Sequence, residues 1–109
     1  MQLVRFDPDK AIAIEGGDKA HYVPIQSGER LTAMLLKLGR KGDTGKRELQ
    51  ADVMLVVISG EGKVRSGGEI ADMKAGDVAV LTGGLMHHIW TADSEMEAIM
   101  SVLGTSSVT

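Results

Sequence analysis

Short apolar segments rich in β-branched residues recur along the chain, and turns that contain glycine separate them. The chain has 14 Gly and 2 Pro, and no segment keeps the 3.6-residue periodicity of a long helix. Many short strands at this spacing are typical of β-sandwiches and β-barrels. The pattern therefore predicts an all-β fold whose strands lie at residues 21–25, 30–38, 53–59, 62–67, 69–73, 77–81, 86–92 and 97–103.

Two glycine-containing stretches predict tight connections between these strands. Gly67 and Gly68 lie between two extended segments, and a Gly-Gly pair accepts positive φ at both central positions of a hairpin turn. The stretch SGEG at residues 59–62 predicts a second turn, between the strands that flank it.

The size of the chain fits one domain over residues 1–109. Hydrophobic residues make up 43% of the sequence, which is enough for a core without metals or disulfides. Residues 1–20 have a less regular pattern than the rest, and we expect the tail at 104–109 to be frayed.

The composition excludes several classes of chemistry and location. The chain has no Cys, which removes thiolate nucleophiles, cysteine-ligated zinc and disulfides, and which fits a reducing compartment. The first residues lack the apolar run of a signal peptide, and the longest apolar run, at 54–58, is too short to span a bilayer. We therefore expect a soluble, cytoplasmic protein with no membrane partner.

The charge balance argues against nucleic acid as a partner, because the net charge is −3 and a phosphate backbone requires a basic face. The basic stretch at residues 37–47 is broken by glycines and by Asp43, and we interpret it as a solvated loop. Arg40, Lys41 or Arg47 within it could still bind an anion locally.

The three histidines are the main candidates for chemistry. His87 and His88 are adjacent on a predicted strand, so their side chains point to opposite faces unless a bulge intervenes. If His87 points inward, Thr91 does too, while His88 and Trp90 face outward. Trp90 is then either the anchor of a subunit interface or covered by its own chain. His21 is expected to be structural or exposed.

The glycine and histidine spacing in the second half of the chain resembles the second motif of the cupin family. That motif runs Gly, five residues, Pro-x-Gly, two residues, His, three residues, Asn. Gly76 opens it here, Gly84 matches its second glycine and His87 its histidine. Thr82 stands in place of the proline, and Thr91 in place of the asparagine.

The first motif of the family is degenerate in this sequence. Gly60 matches its final glycine, but Val53 stands at the glutamate. The resemblance implies a small double-stranded β-helix, or jelly-roll barrel, that is commonly dimeric. It also implies an interior pocket that holds a divalent metal on two or three histidines and a glutamate. This sequence keeps one of those ligands, His87.

Carboxylate and amide side chains before Gly60 are the candidate substitutes for the missing ligands. Lys46-x-Glu48 with Asp52 has the internal spacing of the first motif, and counting from Gly42 places Glu48 and Gln50 in the paired positions. Both registers use Glu48, so His87 with Glu48 and either Asp52 or Gln50 is one hypothesis. The alternative is that these carboxylates are solvated.

Without a metal, His87 either bonds within the interior, for example to Thr91, or orients a bound molecule. Arg47, if it points inward, would hold a carboxylate or phosphate group in the same pocket.

Three functions follow from these alternatives. The preferred hypothesis is a small-molecule-binding protein with a degenerate metal site, whose ligand could be anionic and which holds no metal tightly. The second is a metal-dependent oxygenase, isomerase or lyase that acts on a small polar substrate. The third is a homo-oligomeric interaction module that uses Trp90 and His88, and we expect a homodimer.

Overall fold

The computed structural model describes residues 1–27 and 32–103, and these form an all-β structure. Within those ranges no helix occurs, and so none is long and apolar enough to cross a membrane. The predicted frayed tail at 104–109 and the start of the strand predicted at 30–38 lie outside the described residues. The strands are β1 (Ile12–Ala13), β2 (Asp18–Ser27), β3 (Thr32–Asp43), β4 (Arg47–Glu48), β5 (Val53–Ser66), β6 (Glu69–Lys74), β7 (Val78–Leu81), β8 (Met86–Trp90) and β9 (Met96–Val102).

The long strand β5 joins two sheet halves into a small closed barrel. Its first part pairs with β7 and β9, and its second part pairs with β6 and β8. The first half continues from β9 to β3, β2 and β1, and the second half continues from β8 to β4. A pairing of Asp43 with Trp90 connects β3 to β8. The predicted all-β barrel is confirmed.

The predicted turn at residues 59–62 is wrong, because β5 runs without interruption from Val53 to Ser66. Gly60 sits at the bend with a φ of 75°, and the pairing with β9 shifts register between Val57 and Ser59. The chain therefore changes direction here and stays hydrogen-bonded. The hairpin predicted at Gly67 and Gly68 is present, and Gly67 has a φ of 58°.

The core follows the two-residue alternation of the strands. On β5, Val53, Leu55 and Val57 are buried, while Met54 and Ile58 lie on the opposite face. Aliphatic residues from β3, β8 and β9 complete the interior. Methionines also fill the core, in a chain with few aromatic side chains. The buried hydrophobic cluster consists of Ala20, Leu36, Leu38, Val53, Leu55, Val57, Val64, Met73, Leu81, Ile89, Met96 and Ala98.

Candidate functional site

A cavity of about 460 Å³ lies inside the barrel. It is mainly apolar, since strands β3, β5, β7, β8 and β9 and the segment around β1 contribute aliphatic side chains. The apolar lining residues are Ile12, Ala13, Ile14, Met34, Leu36, Leu49, Val53, Leu81, Ile89, Met100 and Val102. The polar and amphipathic lining residues are Glu15, Tyr22, Thr44, Arg47, His87 and His88.

Among the polar side chains of this lining, His87 has a buried atom that lacks a hydrogen-bond partner within the described chain. It projects from β8 and is 5% exposed. Nε2 lies 3.0 Å from the Thr82 carbonyl oxygen, and a carbonyl only accepts, so Nε2 carries the proton and donates. Nδ1 is buried and has no hydrogen-bond partner among the described residues. The ring is thus oriented by the backbone and presents one unsatisfied nitrogen.

Arg47 stands beside His87 because β4 pairs with β8 and the two residues are register partners. Its Nε donates to the Thr44 carbonyl oxygen at 3.3 Å, and its terminal nitrogen donates to the Glu15 carbonyl oxygen. These two carbonyls hold the half-buried guanidinium at the cavity wall. Arg47 and His87 therefore lie side by side at the pairing of β4 with β8, with the Thr44 and Glu15 backbone against the guanidinium.

His88 is bonded in a different way from its neighbour. Its Nε2 lies 2.6 Å from Asp43 Oδ1, which also accepts a 2.7 Å hydrogen bond from the Gly45 amide. The imidazole stacks on the ring of Trp90 with 4.6 Å between centroids. Trp90 is half-buried, so in the single chain it is no fully exposed anchor. His88 and Trp90 together fasten β8 to β3.

Thr91 is buried, as the alternation from His87 predicts, but it does not line the cavity. Its Oγ1 accepts from the Gly42 amide at 2.8 Å and donates to the Gly39 carbonyl oxygen at 2.5 Å. The hydroxyl is therefore committed to the backbone of β3 and does not reach His87. His21 lies exposed on β2.

The expected metal-ligand set is not assembled. Glu48, Gln50 and Asp52 are all exposed, and none of them lines the cavity. Glu48 alternates with Arg47 on β4 and so points to the other face, while Asp52 Oδ1 accepts from the Gly83 amide at 2.8 Å. Across residues 1–27 and 32–103, no group of three or more His, Asp or Glu side chains could hold a metal. The donor set does not fit the divalent metal implied by the resemblance.

Sequence reasoning missed several groups of the site. The Thr82 carbonyl has no sequence signal, because a backbone atom is specified only by the three-dimensional path of the chain. The inward direction of Tyr22 could have been predicted from strand alternation, because the buried Ala20 lies two residues before it on β2. Glu15 and Thr44 come from irregular segments, where no periodicity exists.

Solved structures with low sequence identity share this architecture. A cupin-2 domain from Rhodospirillum rubrum gives a TM-score of 0.81 at 14% identity, over 98% of this chain and 78% of that one. A predicted oxalate decarboxylase from Thermotoga maritima gives 0.76 at 19% identity, over 86% and 90% of the two chains. The polyketide cyclase RemF from Streptomyces resistomycificus gives 0.79 at 12% identity, over 93% and 79%.

No family model and no curated protein sequence matches the chain. At such identities a structural likeness carries the fold, and function has to be argued from the site. The chain adopts the cupin fold.

Proposed function

We propose that the protein binds a small, largely apolar molecule in the barrel cavity and orients it through His87 and Arg47. The observation that carries this proposal is the cavity itself. Its volume of about 460 Å³ falls in the usual range for small-molecule sites, roughly 300–1,000 Å³. Its lining also has the usual composition of such sites, with many aliphatic side chains and a few grouped polar ones.

The comparisons support the same class of function without naming a ligand. A polyketide cyclase and a predicted oxalate decarboxylase, whose names refer to reactions of small molecules, are built on this fold. Binding in the barrel interior is therefore a use to which the fold is suited. A single barrel hosts many chemistries, so the reaction, if there is one, depends on the lining of this particular cavity.

The proposal places the protein in a reducing, cytoplasmic setting, with no nucleic-acid partner. The absence of Cys and the net charge of −3 support this placement. A metal-dependent enzyme has less support, because within residues 1–27 and 32–103 the buried, unpaired His87 belongs to no group of three or more possible metal ligands. We also propose a homodimer that forms through the outer face of β5 and β7.

The test is a cavity-filling variant with a matched control on the same strand. Val102 lines the cavity, and its neighbour Ser101 points to the opposite face of β9. We expect Val102→Trp to abolish the thermal shift produced by small aromatic compounds, and Ser101→Trp to retain it. The measurement is a thermal-shift screen, with hits confirmed by calorimetry.

Two outcomes would contradict the proposal. One is equal binding by both variants, which would place the ligand outside the barrel. The other is one transition metal per chain in protein purified without chelator, lost in His87→Ala, which would support the metal-dependent enzyme instead.

A further inference from the structure

We infer that the molecule held in the cavity presents a hydroxyl or N–H group to Nδ1 of His87. The inference rests on the proposed binding function and narrows the class of ligand. It predicts a compact apolar body with one hydrogen-bond donor, such as a small phenol or alcohol.

The hydrogen bond at the opposite side of the ring fixes what Nδ1 can do. The Thr82 carbonyl oxygen has no proton to give, so the imidazole must donate to it from Nε2. In the neutral ring the second nitrogen then carries a lone pair and accepts. Because His87 is 5% exposed, solvent outside the barrel does not satisfy that lone pair.

An unsatisfied buried nitrogen has a cost that a ligand can remove. A buried polar atom without a partner costs about 1–3 kcal/mol, and most such atoms in folded proteins are paired. Nδ1 of His87 is the buried side-chain atom that lacks a partner within the described part of the chain. The ring of His87 belongs to the cavity lining, but Nδ1 itself has almost no accessible surface, so an incoming donor reaches it only when the neighbouring side chains move aside.

The chemistry of the surroundings favours a neutral donor over an anion. A carboxylate only accepts hydrogen bonds. Its lone pairs would therefore repel the lone pair of Nδ1, unless the ring took up a second proton. The resulting ion pair would be buried among aliphatic side chains, where desolvation offsets much of the attraction. A hydroxyl has neither difficulty, and its oxygen can also accept from a nearby donor such as the Arg47 guanidinium.

The experiment compares four probes that share one apolar body: 1-naphthol, 1-methoxynaphthalene, naphthalene and 1-naphthoate. Dissociation constants are measured by calorimetry on the wild-type chain, on His87→Phe and on His21→Phe. His21→Phe is the matched control, since it makes the same replacement at an exposed position on β2. We expect 1-naphthol to bind roughly five- to tenfold more tightly than its methyl ether to the wild type and to the control. In His87→Phe this preference is expected to disappear.

A second measurement does not depend on how His87→Phe folds. In nitrogen-15 spectra of the wild-type protein, we expect one histidine to show the pattern of a ring protonated at Nε2. The chemical shift of its unprotonated nitrogen should change on addition of 1-naphthol and remain unchanged on addition of the methyl ether.

Each failure has a separate meaning. Equal binding of 1-naphthol, its ether and naphthalene would overturn the donor inference and leave the cavity-binding proposal standing. Tighter binding of 1-naphthoate would overturn it in favour of an anionic ligand. A chain that binds none of the four would overturn both proposals.

Discussion

At the scale of residues, the hydroxyl of Thr91 fixes the chain that follows β8 to the last residues of β3. It accepts a hydrogen bond from the Gly42 amide and donates one to the Gly39 carbonyl oxygen, so the hydroxyl acts as both acceptor and donor. The Thr91 amide also donates to the Gly42 carbonyl oxygen at 2.9 Å. The Thr91 side chain thus joins the last residues of β3 to the segment that follows β8.

Thr91→Val is therefore expected to destabilise the fold although it preserves side-chain shape. The buried Gly42 amide would lose its partner, and the free energy of unfolding should fall by roughly 2–3 kcal/mol. Urea denaturation followed by circular dichroism measures this loss. Thr82→Val, at an exposed threonine whose carbonyl remains in place, is the control and should change stability little. Equal effects of the two variants would contradict the role given to Thr91.

At the scale of residues, the sequence predicts well which face of a strand a side chain lies on, and poorly which atom it bonds to. Two-residue alternation predicts that Thr91 faces the same side as His87, and both are buried, because direction is a local property of an extended chain. The partner of each polar atom depends on how the chain turns back on itself, over 5 residues for Thr82 and 45 for Asp43, and so neither partner is predictable from the pattern. The placement of Glu48 depended on the register of β4, which a two-residue strand does not encode.

At the scale of elements, β5 is the strand on which the barrel depends, because it belongs to both sheet halves. The bend between its two parts is placed at Gly60, whose φ is 75°. A Cβ at this position would lie 1.8 Å from the Glu95 carbonyl oxygen, which is far inside contact distance. Glycine is required both by the backbone conformation and by the close approach of the segment before β9.

Gly60→Ala is expected to lower the free energy of unfolding by at least about 3 kcal/mol, or to prevent folding, because the backbone must separate from Glu95. Gly68→Ala is the matched control. A Cβ at Gly68 meets nothing within 4 Å, so this variant should be close to neutral. Expression level and thermal unfolding of the two variants provide the comparison, and a stable Gly60→Ala protein would show that β5 can bend elsewhere.

The elements themselves were largely predictable, for a reason that Gly60, Gly76 and Gly84 illustrate. All three glycines that carry the family resemblance adopt positive φ, at 75°, 94° and 85°, so their spacing marks where the chain has to turn or bend. Sequence does not distinguish a bend within a paired strand from a turn between two strands, hence the wrong turn at 59–62. The two-residue strands β1 and β4 were missed because two residues show no periodicity.

At the scale of the whole molecule, the outer face of the first sheet half carries a continuous row of apolar side chains. Five register partners form a row across β2, β3, β9, β5 and β7. The row consists of Val23, Leu35, Ile99, Val56 and Val78. The row is most exposed on the edge strand β7, where Val78 and its same-face neighbour Val80 are 57% and 62% exposed.

We propose that a second copy of this chain covers this outer face. The row is aliphatic and carries no charge, whereas a quarter of the sequence is charged and the ion pair of Lys37 with Glu97 borders the row on the same face. Two copies can bring identical rows together about a two-fold axis, since twisted sheets pack face to face in an aligned arrangement. This places the expected homodimer on β5 and β7 and away from Trp90.

The paired substitution Val78→Lys and Val80→Lys is expected to convert a dimer into a monomer, because four buried ammonium groups would face one another across the axis. Sedimentation equilibrium over a range of concentrations measures the change. Ile70→Lys is the control, since Ile70 is 56% exposed on β6 of the other sheet half. A wild-type chain that is monomeric at all concentrations, or a control that dissociates equally, would refute the proposed interface.

The position of β9 in the sheet has a consequence for the order in which the molecule can be made. β9 spans Met96–Val102, the last of the described strands along the chain, yet it lies between β3 and β5. Until it emerges from the ribosome, both of those strands have an unpaired edge and the barrel stays open. The nascent chain therefore exposes the facing edges of β3 and β5 until β9 has been synthesised, and closure of the barrel waits for residues 96–102.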